Sequence, residues 1–126
     1  MDTKNKIQTW DELGPALANG EWKILAGSFD PVTAETAERI QANVTPGRRL
    51  LVVVRPDNDE LFDCTSRAIL VAALRGVDAV MIETSQEWRA RLKGCPALIA
   101  EDDEWCAEQK QEFEALVMRK QQRAAS

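Results

Sequence analysis

Two periods of apolar residues alternate along this chain. Leu13 and Leu17 stand one helical turn apart behind Thr9, and Glu12 lies at the capping-box spacing from it, which predicts a short helix over 9–19 closed by Asn19-Gly20. Trp22-Lys23-Ile24-Leu25-Ala26-Gly27 reads as a strand. Asp30-Pro31 then starts a helix over 33–43, because proline is preorganised for a first turn. Thr45-Pro46-Gly47 interrupts the chain before Arg49-Leu50-Leu51-Val52-Val53-Val54, a β-branched run of the kind buried on both faces of a parallel sheet.

After the polar turn Arg55-Pro56-Asp57-Asn58-Asp59, the run 64–74 is apolar over most of a helical circumference and predicts a largely buried helix capped by Gly76. Residues 78–82 are short enough for a strand, 86–93 form a short helix, and Gly94-Cys95-Pro96 resets the chain. Ala97-Leu98-Ile99-Ala100 is a fourth strand. A closing helix over 104–122 sets Trp105, Phe113, Leu116 and Val117 along one face, with an acidic start and the basic end Arg119-Lys120 and Arg123 suiting its dipole. Strands alternating with helices through short loops imply one α/β domain spanning 1–126. The expected form is a three-layer α/β/α sandwich with a Rossmann-like parallel sheet of four to five strands. Ligands of such sheets bind beyond the carboxyl ends of the strands, which directs attention to the loops after Gly27, Val54 and Ile82.

Composition narrows the chemistry. With 16 Lys+Arg against 21 Asp+Glu there is no basic field for a nucleic acid, and with no histidine at all there is no imidazole for acid/base work or metal ligation. Cys64, Cys95 and Cys106 are odd in number and lack a C-x-x-C spacing; buried small hydrophobes in a reducing compartment are expected. The polar N-terminus leads into no signal-type apolar core, and no window approaches a membrane span, so a complete cytoplasmic protein is expected.

The first strand-end loop, Gly27-Ser28-Phe29-Asp30-Pro31-Val32-Thr33-Ala34-Glu35-Thr36, resembles the G-x-F-D-x-x-H-x-G-H signature of the cytidylyltransferase-like nucleotidylyltransferases. The order of elements is most similar to the adenylyltransferase domain of the bacterial heptose-phosphate enzymes. Similarity continues through Arg67-Ala68-Ile69-Leu70-Val71-Ala72-Ala73-Leu74 and Val77-Asp78-Ala79-Val80, where the family has R-A-x-x-x-A-A-L and V-D-x-V, and covers roughly residues 6 to 105. The resemblance implies a nucleotide pocket at Gly27, Ser28, Phe29, Asp30, Thr33, Thr36 and Arg55, with ATP or CTP and Mg²⁺ as its ligands if the pocket functions.

The departures from the signature all oppose nucleotidyl transfer. Thr33 and Thr36 replace the histidines that steady charge on the α-phosphate, and Glu35 puts a carboxylate where a glycine admits the triphosphate. The loop 56–60 is acidic where the family is basic, and Glu101-Asp102-Asp103-Glu104 stands in place of its late S-T/S-S-T motif. Structural readings compete with the functional ones. Gly27 to Asp30 can be a plain turn with Asp30 as a helix cap, Thr33, Glu35 and Thr36 solvent-facing helix-start residues, and Arg55 half of a surface ion pair. Residues 101–104 form a solvated helix start rather than a cation site, since consecutive carboxylates converge on one ion only if the loop curls. Trp22 and Trp105 fit core packing, whereas Trp88 could anchor a partner or a second subunit. The expected function is therefore a degenerate nucleotidylyltransferase-like domain without catalytic residues, acting as a binding or assembly module and able to form a homodimer. The alternative is a Mg²⁺-dependent transferase acting on a sugar phosphate or alcohol phosphate.

Overall fold

The computed structural model describes residues 3–57, 60–84, 90 and 97–125. Four strands, β1 (Trp22–Gly27), β2 (Arg49–Val54), β3 (Ala79–Ile82) and β4 (Ala97–Glu101), form one all-parallel sheet in the order β3-β2-β1-β4. Four helices accompany them among the described residues: α1 (Trp10–Asn19), α2 (Ala34–Gln41), α3 (Cys64–Ala72) and α4 (Asp103–Ala125). Ile7 adds an isolated parallel bridge to Val80, so the N-terminal segment lengthens the β3 edge.

The period-two alternation of the strands assigns the two faces. Leu50, Val52 and Val54 of β2 pack with Leu25, Val80, Ile40 of α2, Val71 of α3 and Cys106 of α4. Leu51 and Val53 turn to the other face, against Ile24, Met81 and the pair Leu13 and Leu17 of α1. Helices thus lie on both faces of the sheet, the three-layer arrangement that βαβ connections impose on a parallel sheet. The predicted capping box of α1 is present: the Thr9 hydroxyl accepts from Glu12 N–H, and the Glu12 carboxylate accepts from Thr9 N–H at 3.1 Å.

Several expectations shift. α2 starts later than Asp30-Pro31 suggests, because Thr33 is its N-cap, accepting from the Thr36 amide at 3.3 Å, and Asp30 has other partners. α3 ends at Ala72, with Ala73 as its cap, and Gly76 serves the following turn at φ 89°. The helix over 86–93, Trp88 and Cys95 lie outside the described residues, apart from Ala90. α4 does not close over the domain along its whole length. Cys106 and Lys110 are buried, but from Gln111 to Arg123 every residue except half-buried Phe113 is exposed, Leu116 and Val117 included. Among the described residues no helix is long and apolar enough to cross a membrane.

Candidate functional site at the strand ends

The connections β1 to β2 to β3 run to one side of β1 and the chain then returns to β4 on the other, so strand order reverses between β1 and β4. The crevice beyond these carboxyl ends is where a doubly wound sheet offers a ligand site. The loop 27–30 begins there, and so does α4.

Several side chains of the loop 27–36 at this crevice, Phe29, Asp30 and Thr36, turn inward. Gly27 closes β1, and a Cβ on it would come within 2.9 Å of both Cys106 Sγ and Phe29 Cζ. Its missing side chain makes room for the domain's own core. Phe29 holds φ at 48°, a left-handed conformation costly for a non-glycine residue, and its ring is buried at the end of β1. Asp30 is fully buried and is not a helix cap: its carboxylate accepts from the amides of Leu61 at 2.7 Å and Phe62 at 3.0 Å, and Lys110 Nζ lies 3.6 Å away. Thr36 does not face solvent either. Its hydroxyl donates to Pro31 O at 3.2 Å, in contact with Thr33 Oγ1 at 3.1 Å, because the first turn of α2 folds back on the loop. Glu35 is exposed as expected. Arg55, just past β2, pairs with Asp103 at 3.5 Å but is mostly buried, so the ion pair sits beneath the start of α4.

Three further residues lock the same region. Arg67, on α3, has no exposed surface; Nε donates to Phe62 O (2.9 Å), Nη1 to Arg55 O (2.9 Å) and Ser28 O, and Nη2 to the Glu60 carboxylate (2.7 Å). One guanidinium therefore ties the ends of β1 and β2 to the start of α3. Lys110 bridges Asp30 and, at 2.8 Å, Asp57. Burial works against its charge, but the Asp57 hydrogen bond and the carboxylates of Asp57, Asp30 and Glu114 outweigh this and raise its pKa above the ordinary lysine value. Asp102 is buried rather than solvated, held in a two-point contact by Arg39 at 3.0 and 3.1 Å, while Asp103 turns to Arg55. The four successive carboxylates diverge, and no cluster of metal-ligating side chains is found among the described residues.

Cys106 fills the crevice. Its sulfur faces the amides of Ser28 and Phe29 and the Ser28 hydroxyl, donors of the kind a phosphate would need, and burial pushes its pKa up to about 11. Cys64 is only half-buried, because it starts α3 beside Glu60, to which its thiol donates at 3.4 Å; burial raises its pKa as well.

A prediction follows from the Cys106 thiol. Folding raises its pKa, so its contribution to stability is complete below pH 9 and is lost as pH rises toward 11. Unfolding at pH 7 and pH 10.5 is expected to show an alkaline loss of which roughly 2 kcal/mol disappears in Cys106→Ala. An equal slope in both proteins would refute this origin.

The open space at this end lies elsewhere. A cavity of about 360 Å³ between α2 and α4 is lined by Thr33, Glu35, Gln109, Glu112, Phe113 and Leu116, two carboxylates with no cation among them. The loop after β3 borders a separate cavity of about 430 Å³, where the buried Glu83 carboxylate accepts from Trp10 Nε1. Reading the sequence missed Arg67, Lys110, Cys106 and Glu83 as site-forming residues. A charged residue inside an apolar helical run was the available signal for Arg67; a lysine in a polar helix offers none. Comparison of the sequence with protein-family models and with curated proteins finds no match.

Proposed function

We propose that this chain is a degenerate nucleotidylyltransferase-like domain without transferase activity, serving as a binding or assembly module. The observation that carries the reading is the fate of Asp30, the acidic residue of the G-x-F-D frame: it is sealed under the 61–62 loop by two amides and Lys110. Its neighbours support the same reading, since the buried Cys106 thiol lies against Gly27 at the loop and Glu35 with Glu112 lines the adjoining cavity. A triphosphate brought there meets negative charge and space already filled by side chains.

The test is titration calorimetry with ATP and CTP, with and without Mg²⁺, together with pyrophosphate release in the presence of sugar phosphates. No saturable heat at millimolar nucleotide and background turnover are expected. Sustained turnover that vanishes in Thr33→Ala would overturn the proposal and establish a Mg²⁺-dependent transferase. Restoring the signature by Thr33→His, Glu35→Gly and Thr36→His is expected to leave ATP affinity undetectable, because Cys106 and the Asp30–Lys110 pair still fill the crevice. Micromolar binding by that triple variant would show that the pocket survives beneath the substitutions.

A further inference from the structure

We propose that the exposed half of α4 is a self-association element that pairs antiparallel with α4 of a second copy of this chain. Cys106, Lys110, Phe113 and Val117 follow one another at steps of four, three and four residues, so they share one helix face. The first two are buried in the domain and Phe113 is half-buried, while Val117 is 37% and its neighbour Leu116 44% exposed. The stripe that packs the root of α4 thus continues along the exposed half of the helix, over residues 111–125 and about 22 Å. At its root an apolar groove of about 290 Å³ runs between Leu61 and the residues Phe113, Glu114, Val117 and Met118.

Charge selects the occupant. Glu108, Glu112 and Glu114 precede the exposed apolar residues, and Arg119, Lys120 and Arg123 follow them. Two copies side by side in parallel would set acid against acid and base against base. Reversing one copy sets each acidic half against a basic half, and brings each tip back toward the groove at the other's root. The surface is complementary to itself, which is the property a two-fold interface requires. This inference deepens the assembly reading above and rests on it; nucleotide titration tests that reading and mass tests this one, so either can fail alone.

Sedimentation equilibrium of the full chain, from micromolar to hundreds of micromolar, is expected to show a reversible approach to twice the 14.1 kDa monomer mass. Leu116→Glu with Val117→Glu is expected to weaken the association at least about tenfold while leaving the circular dichroism melt close to that of the parent at concentrations where both are monomers, since both side chains are exposed. Glu112→Lys with Glu114→Lys is expected to weaken it to a similar degree, and adding Arg119→Glu and Lys120→Glu in the same chain to restore it. A monomer at every concentration overturns the proposal, whether or not it sediments with anionic vesicles. So does a dimer indifferent to the Leu116 and Val117 changes, and a dimer insensitive to the charge pair would refute the antiparallel arrangement.

Discussion

Arg67→Ala is expected to lower unfolding stability by about 3–5 kcal/mol, the largest effect of any single substitution considered for this chain. The guanidinium has no exposed surface and satisfies the carbonyls of Ser28, Arg55 and Phe62 as well as the Glu60 carboxylate. Truncation leaves partly buried acceptors from three loop segments without their donor, and the penalty is the sum of several groups left unpaired, not of one lost contact. For a domain whose whole stability is on the order of 5–15 kcal/mol, this removes about a fifth or more and lowers Tm by roughly 10–20 °C. Arg67→Lys should recover only part, because an ammonium cannot spread donors over the same directions. Urea and thermal unfolding check both variants, and a loss under about 1 kcal/mol in Arg67→Ala would mean that water replaces the side chain.

Lys110→Met is expected to cost about 2–4 kcal/mol, and here the partner decides the interpretation. Lys110 stands between Asp30, which is fully buried, and Asp57, which is not. Without the ammonium, the Asp30 carboxylate keeps its two amide donors but loses its nearest cation in a site closed to solvent. Asp30→Asn in the Lys110→Met background should therefore return only part of the stability, since it removes the buried charge and its oxygen still accepts one backbone hydrogen bond, while its NH2 group faces the other amide. A double-mutant cycle measures this directly. Strictly additive losses would show that Lys110 serves Asp57 alone and that Asp30 is held by the loop amides. Neither variant is expected to create nucleotide binding, because Phe29 and Cys106 still occupy the crevice.

Much of the fold was legible in local pattern. The β-branched run 49–54 and the apolar segment 22–27 became strands with the predicted bounds, and Thr9 with Glu12 formed the predicted box, because period and capping depend on residues within a turn or two of each other. Strand order was not legible, since parallel β-branched strands carry no label for their neighbours. The inward turn of the site was hidden for a related reason. Asp30-Pro31 reads locally as a helix start, yet the Asp30 carboxylate bonds amides 31 and 32 residues away, and Thr33 takes the cap instead.

By itself the sequence determined an alternating α/β chain, an apolar sheet, and a Gly27-Ser28-Phe29-Asp30 loop in a chain without histidine. Tertiary structure alone decided that β4 returns beside β1 and that α4 springs from the switch point. There Cys106 and Lys110 reach the loop that their sequence positions leave far away, while Leu116 and Val117 stay exposed. The physical reason is that hydrophobic periodicity is written residue by residue along the chain. Which charges meet, which apolar stripe finds a partner and which pocket is filled depend on distances that only the assembled sheet fixes.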